Sequence, residues 1–448
     1  MKRRFDQLLL LLLAAWISGC AVLPEIIEDI RVLPQDNTVY LDPLTADSEA
    51  VTPERQKALY EGFMCHFFLP WNQAASLLNR ERLILELARC RNNPGYGENS
   101  RKHTGPWFDE LARNADLETY PNRNLKGITL DNSGLRLLPT HKPHFTSLRS
   151  DGTGYPFDNL QNSAIPANTP ILIVHAARDG SWSLVDSHYG SGWLPARDVA
   201  TVDPELASVW EDSRFVAIKR DDVPVYDMDG SFLFKTRLGA QFPLLDEEGE
   251  NYRIMVARAG EQRTARISHA VIPRDAAVRQ PMKLTQANIA RTANELVNKP
   301  YGWGGLYQNR DCSAMLKDLF APFGLWLPRH SSDQALEGGA FRDLSLFAPE
   351  FKEELILKHG VPFLTLIWVK GHIMLYIGSL NGRVMVFHNF WGIKTRDIWG
   401  REGRKVVGHA AITSLYPGAE LTNVEAPGSG LLNRLEGMSL LVQPSIIK

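Results

Sequence analysis

A chain of 448 residues is longer than one hydrophobic core organises, and at ~150 residues per unit it predicts about three compact domains. Its composition is that of an ordinary globular protein, with 44% hydrophobic residues. Its 49 basic and 51 acidic side chains leave no strong field for a polyanion, which argues against nucleic acid as a partner.

The chain opens on "MKRRFDQLLLLLLAAWISGC", with basic Lys2, Arg3 and Arg4, an apolar run from Leu8 to Ile17, and small residues before Cys20. The run is too short to span a bilayer and fits an export signal. Its ending, Ile17, Ser18, Gly19, Cys20, resembles a bacterial lipoprotein cleavage box. That resemblance implies a signal peptide over 1–20, Cys20 as the lipidated first residue of a membrane-anchored chain, and, with Ala21 next, the periplasmic face of the outer membrane in a Gram-negative cell. Export means an oxidising compartment where thiols tend to pair. Cys65 and Cys90, however, fall near the ends of successive helix-like segments, so a helical hairpin holds them beyond the ~6 Å Cα approach a disulfide needs. Two buried free cysteines are expected.

From Pro53 to Leu117 the pattern is helical, with Ile84, Leu87 and Ala88 at the offsets of one face and breaks at "LPW" (69–71) and "NNPGYGENS" (92–100). From about 130 to 275 the rhythm changes to short strands between Gly and Asp turns, as in "PILIVHAARDGSWSLVDSHYGSGWLP" and "VPVYDMDGSFLFKTRLGAQFPLLDEEGENYRIMVA". Two consecutive small barrels are predicted, similar to bacterial SH3-like modules. Trp182 and Trp193 read as barrel core rather than ligand platforms. A polar helix, "TQANIARTANELVNKP", then opens the last unit and is expected to end at Pro300.

The segment "YGWGGLYQNRDCSAMLKDLF" (301–320) carries the chemistry. Cys312, Met315, Leu316, Leu319 and Phe320 fall at helical spacing, which puts Cys312 in the first turn of a core-facing helix. Unpaired N–H groups and the positive helix end there stabilise a thiolate, so a lowered thiol pKa is expected. The same N–H groups suit an oxyanion. A base is supplied by "TLIWVKGHIMLYIGSLNGRVMVFHNFWG", two apolar strands with His372 near the start of one and His388 near the end of the other. A two-residue Asn-Gly loop would leave the histidines on opposite faces, whereas a three-residue loop 380–382 pairs Met374 with His388 and puts both histidines on one face, within ~7 Å between backbones. The second register is the one expected. Thiolate attack by Cys312, with His372 as base and His388 orienting it, follows as the predicted chemistry, with no metal and no cofactor.

The residues "GWGG" after Tyr301, "RDCSAML", "LPRHSSDQA", "GHIMLYIG" and "VFHNFWG" resemble the NlpC-type cysteine peptidases, papain-like enzymes that cut bacterial cell-wall peptides. The order of helical domain, two SH3-like barrels and peptidase is also similar to a subgroup of that family. The expected fold is therefore multidomain α+β: an N-terminal helical domain at 21–128, SH3-like barrels at 129–205 and 206–278, and a papain-like α+β domain at 279–448. The resemblance implies a catalytic Cys312, His372 and His388, Tyr301 beside the oxyanion, and Asp311, Ser313 and Ser331 against substrate. It further implies hydrolysis of the bond from γ-D-glutamate to a diamino acid, meso-diaminopimelate by that likeness, in peptidoglycan stem peptides or released muropeptides. A monomer is expected. Some relatives read the free amine of the stem's L-alanine with acidic side chains; Asp311 suits that role and also that of a helix N-cap. His330 stands where some of those relatives carry an acid. The rival reading is a noncatalytic wall-binding lipoprotein, against which the retention of Cys312, His372 and His388 argues. His141 and His144, in "HKPH", have no second ligand pair at metal spacing.

Overall fold

The computed structural model describes residues 26–76, 78–148, 152–396, 399–421 and 430–442. The export segment 1–20 and its Cys20 lie outside the described residues. Among the described residues no helix is long and apolar enough to cross a membrane.

The helical part comprises α1 (Glu28–Val32), α2 (Pro53–Asn72), α3 (Arg80–Asn92) and α4 (Gly105–Ala115). Thr52 caps α2 by accepting from the Arg55 amide, and Pro53 starts its first turn, where a missing N–H costs nothing. Phe63, Phe67 and Trp71, four apart, bury one stripe of α2 against Trp210 and Phe215. The break expected at 69–71 falls instead after Asn72. Pro70 sits in the last turn, where it removes one hydrogen bond, and burial of Phe68 and Trp71 holds that turn in place. In α3 the expected face is also wrong: Ile84 and Ala88 are exposed, and Leu83, Leu87 and Cys90 turn inwards. Cys90 is buried but Cys65 is exposed, against the expectation for it, and both are free thiols.

Two larger antiparallel sheets follow, with a two-stranded ribbon of Pro224–Tyr226 and Phe232–Lys235 beside the second. The first has seven strands between Leu125 and Thr201, with Trp182 and Trp193 buried in it. Its turn at Asp179 and Gly180 needs the glycine, whose φ is 72°. Helix α5 (Pro204–Glu211), capped by Asp203, leads into the second, five-stranded sheet between Phe215 and Arg279.

The C-terminal unit carries α6 (Gln286–Asn294), α7 (Cys312–Phe320), α8 (Ser331–Glu337) and α9 (Pro349–His359). Helix α6 ends at Asn294, before Pro300 is reached. The strands are β1 (Ala340–Asp343), β2 (Thr365–Val369), β3 (His372–Leu380), β4 (Arg383–Arg396), β5 (Glu402–Ser414) and β6 (Leu435–Leu440). They form one antiparallel sheet in the order β1-β6-β2-β3-β4-β5. Met315, Leu316, Leu319 and Phe320 of α7 pack on Ile373, Leu375 and Phe387, which sets the N-terminus of α7 beside the start of β3.

The β3–β4 hairpin differs from the expected one. Leu380 pairs with Arg383, so the loop is the two residues Asn381 and Gly382, at φ 52° and 77° as a type I′ turn requires. One extra residue, Ile377, lies between the Tyr376–Val386 and Gly378–Met385 pairs and forms a bulge. The bulge, not a longer loop, shifts the register by one and brings His372 and His388 to the same face.

Candidate active site

The loop before Cys312 is shaped by glycine. Gly304 and Gly305 have φ of 57° and 83°, and a Cβ on either would lie 2.2 Å from the Gln161 carbonyl oxygen or 2.3 Å from the Ala164 amide. The loop is thus pressed onto a strand of the first sheet, and Gln161 Nε2 donates to the Gly304 carbonyl at 3.0 Å. On its other side, Arg310 is buried in an ion network: Nη1 reaches Asp221, in the loop after the second sheet's strand Phe215–Ile218, at 2.6 Å and Nε reaches Asp318 of α7 at 2.7 Å. Arg237, in the loop before the second sheet's strand Gln241–Glu248, meets Asp318 at 2.9 Å. Asn389, next to His388, donates to the Arg310 carbonyl at 2.8 Å and ties the loop to β4. Asp311 caps α7 by accepting from the Ala314 amide at 2.9 Å, which leaves Cys312 as the first residue of that helix.

Cys312, His372 and His388 line one cleft of 650 Å³. His372 Nε2 and His388 Nδ1 are 2.8 Å apart, and His388 Nε2 is 2.9 Å from Thr413 Oγ1. The direction of this chain follows from its last link. Thr413 donates its hydroxyl proton to the Ser414 carbonyl at 2.8 Å, so its oxygen accepts from His388 Nε2–H. His388 Nδ1 is then the acceptor for His372 Nε2–H, and the lone pair of His372 falls on Nδ1. The His388 ring is also fixed by stacking on Phe390, with centroids 4.2 Å apart.

Burial sets the charge state. The Cys312 thiol is pushed up to about 12, first by burial and then by the Asp311 charge; the Ile373 and Ser313 amides and Arg329 pull it down by less. The expectation that the helix N-terminus leaves a thiolate is therefore corrected: desolvation outweighs the helix end. Burial, with Arg434, lowers His372 to about 4, and burial lowers His388 as well. At neutral pH the resting pair is a thiol and a neutral imidazole. Burial, followed by repulsion from Cys312 once it is ionised and from Asp311, raises the Tyr301 phenol well above its ordinary value, so its hydroxyl stays a donor.

Tyr301, Asp311, Ser313 and Ser331 all line the same cleft. Asp311 and Ser313 are buried and already engaged with Arg329, whose Nη2 meets Asp311 Oδ2 at 2.7 Å and whose Nη1 meets Ser313 Oγ at 3.0 Å. Ser331 is half-buried at the start of α8, and His330 is exposed beside it. Sequence reasoning missed Arg329, Asn389 and Thr413. The signal for Thr413 was the strand alternation of "HAAITS", which puts Ala411 and Thr413 on one face of β5. His141 and His144 do not converge: His144 Nε2 lies 2.6 Å from the Asn93 carbonyl, while His141 packs on Trp182. Among the described residues no group of three His, Cys, Asp or Glu is arranged to hold a metal ion.

Four family models match along the chain: an NLPC_P60 N-terminal stabilising domain at 7–120, an SH3 domain of SH3b1 type at 143–195, an SH3 domain of SH3b2 type at 203–248, and the NlpC/P60 family at 298–401. None of the curated proteins matches the chain. Among solved structures, an NlpC/P60 endopeptidase from Photobacterium damselae subsp. piscicida is 26% identical, with 92% of this chain and 98% of that one aligned at a TM-score of 0.82. An NlpC/P60 family protein from Bacillus cereus ATCC 10987 is 16% identical over 71% of this chain and 100% of its own, at a TM-score of 0.47. The peptidoglycan hydrolase RipB from Mycobacterium tuberculosis is 16% identical over 35% of this chain and 64% of its own, at 0.21. The first superposes over the whole architecture; the other two share too little geometry to bear on the chemistry.

Proposed function

Because this chain belongs to the NlpC/P60 family, with that family's stabilising domain and two SH3 domains preceding the NlpC/P60 domain, we propose that it is a cell-wall endopeptidase acting through Cys312, His372 and His388. The substrate is the bond between γ-D-glutamate and a diamino acid, meso-diaminopimelate, in peptidoglycan stem peptides. One observation carries the reading: a one-way hydrogen-bond chain from His372 through His388 and Thr413 to the Ser414 carbonyl leaves a basic Nδ1 in the cleft that holds the thiol.

In this mechanism His372 Nδ1 takes the Cys312 proton as the sulfur attacks the γ-glutamyl carbonyl carbon. The imidazolium is stabilised by His388, whose acceptor nitrogen already faces His372 Nε2–H. The carbonyl oxygen becomes an oxyanion at the N-terminus of α7, with the Tyr301 hydroxyl as a further donor. His372 then returns the proton to the leaving amine, the C–N bond breaks, and a thioester on Cys312 remains. A water deprotonated by His372 attacks the thioester carbonyl, restoring the thiol and releasing the glutamyl acid. A neutral resting pair suits this order, since the ion pair forms only as charge is needed at the carbonyl.

We further propose that the chain is exported as a monomer, lipidated at Cys20 and held at the periplasmic face of an outer membrane. The test of the enzymatic reading is mass spectrometry of defined stem peptides incubated with the wild type and with Cys312→Ala. Products split between D-glutamate and the diamino acid, from wild type alone, are the expected result. Intact stems from both proteins, with wall polymer still bound, would leave the noncatalytic binder.

A further inference from the structure

Resting on the peptidase reading above, we infer that Asp29, in α1, is a positioning residue for His388, and that the N-terminal segment 27–40 is a strap holding the two histidines in their working arrangement. The contacts behind this lie at the edge of the catalytic sheet. Among the described residues β5 is the last strand in the order, so the outer N–H and C=O groups near its end have no further strand to pair with. The N-terminal segment takes that place. Gln35 exchanges two hydrogen bonds with Ile412, its Oε1 accepting from the amide at 2.8 Å and its Nε2 donating to the carbonyl at 2.9 Å. One residue beyond Thr413, Asp29 Oδ2 accepts from both the amide and the hydroxyl of Ser414, each at 2.8 Å. That hydroxyl also accepts from the Tyr416 amide at 3.0 Å, so its proton and its lone pair are both committed.

These contacts converge on one imidazole. The Ser414 carbonyl takes the Thr413 hydroxyl proton, and that bond makes the Thr413 oxygen the acceptor for His388 Nε2–H. With residue 414 free to turn, the Thr413 hydroxyl loses its acceptor and donates to His388 Nε2 instead. The chain then runs backwards. His388 carries its proton on Nδ1, His372 Nε2 accepts it, and the proton of neutral His372 moves to Nδ1, which leaves the cleft without a base. The same segment also touches the His388 ring support: Ile27 is buried in one cluster with Phe390 and Ala411, and Phe390 is the ring stacked on His388. At the far end of the strap, the Tyr40 carbonyl oxygen lies 3.0 Å from where a Cβ on Gly378 would stand, directly after the bulge at Ile377. Covering a sheet edge requires only pairing such as that of Gln35 with Ile412. The further contacts reach the tautomer, the ring and the register of His388.

The experiment measures kcat and KM of the full chain on L-Ala-γ-D-Glu-meso-diaminopimelate stems, free and glycan-linked, with nitrogen-15 NMR of the histidine side chains in the same proteins. Asp29→Ala is expected to lower kcat about three- to tenfold with KM little changed, the scale of one orienting hydrogen bond. Its spectra should show the His388 proton moving from Nε2 towards Nδ1. Ser414→Ala breaks only the hydroxyl half of the contact and should lower kcat about twofold. Asp29→Asn keeps an oxygen acceptor for both Ser414 donors and should recover most of the rate. In a Thr413→Val background Asp29→Ala should cost no further rate, because the link through which it acts is already gone. A strap that only covers the sheet edge gives a different result: lower stability, with kcat per folded molecule and the histidine spectra unchanged. That outcome in Asp29→Ala, or in Ser414→Ala should Asp29→Ala not fold, overturns the inference and leaves the peptidase reading intact. A wild type that cleaves no stem removes the peptidase reading and the inference with it.

Discussion

The two SH3 domains grip the same loop before Cys312 from opposite sides and by different physics. The first meets the loop on its cleft side: the Gln161 and Ala164 backbone against Gly304 and Gly305, Ser163 Oγ accepting from Arg329 Nε at 2.8 Å, and Phe157 beside Trp303. Those contacts are close but uncharged on the barrel's part. The second meets the loop from behind with buried charge, Asp221 on Arg310 and Arg237 on Asp318. One domain shapes the cleft wall and the other braces the helix that carries Cys312, so lesions in the two should separate into function and stability.

Asp221→Ala should have the largest effect, because it leaves Arg310 buried with one partner fewer; breaking such a pair costs ~3–5 kcal/mol. Denaturant unfolding should show that loss, with activity per folded molecule less affected. Burial raises the Asp221 carboxyl, but Arg310 outweighs it and holds the group down to about 2. A folded pKa below the unfolded one means this stabilisation is complete above the ordinary carboxylate range and is lost as pH falls towards 2. The wild type should therefore lose stability over that window, and Asp221→Ala should lose less of it.

Gly304→Ala tests the other side. Its positive φ and the 2.2 Å approach to Gln161 force the loop off the first sheet. A stability loss of about 1–3 kcal/mol is expected. A fall in kcat of up to ~100-fold from misplacing Cys312 should accompany it. Equal and large unfolding in both variants would erase the distinction between the two domains. Thr413→Val should be the mildest: the fold is kept, and kcat falls about tenfold with KM little changed, because His388 loses the acceptor that fixes its tautomer. Thr413→Ser should recover most of the rate.

Sequence patterns spoke to these regions unequally. The change from helical spacing to short strands at Gly and Asp turns marked the architecture, because turns and periodicity are local. The apolar run "LILELA" in α3 did not reveal its buried face, since Leu83, Ile84, Leu85 and Leu87 point around most of the helix and the neighbours decide. The histidine hairpin was read with the right face and the wrong cause: the Asn-Gly turn is the short one, and a bulge at Ile377, silent in the sequence, sets the register. The thiol's charge state was misjudged because a helix N-terminus can be read from sequence and burial cannot. Arg329 stands far from Asp311 in the chain, and only tertiary folding pairs them.

The claim on which the mechanism depends most is that a neutral, one-way chain of imidazoles leaves the acceptor nitrogen of His372 on Nδ1, in the cleft that holds Cys312. Nitrogen-15 NMR of the histidine side chains in the intact protein, titrated from pH 7 down to 4, tests it directly. The account predicts His372 and His388 both neutral with the proton on Nε2 at pH 7, and His372 gaining its second proton only near pH 4. A His372 that carries its proton on Nδ1, or that is already an imidazolium at pH 7, would contradict it.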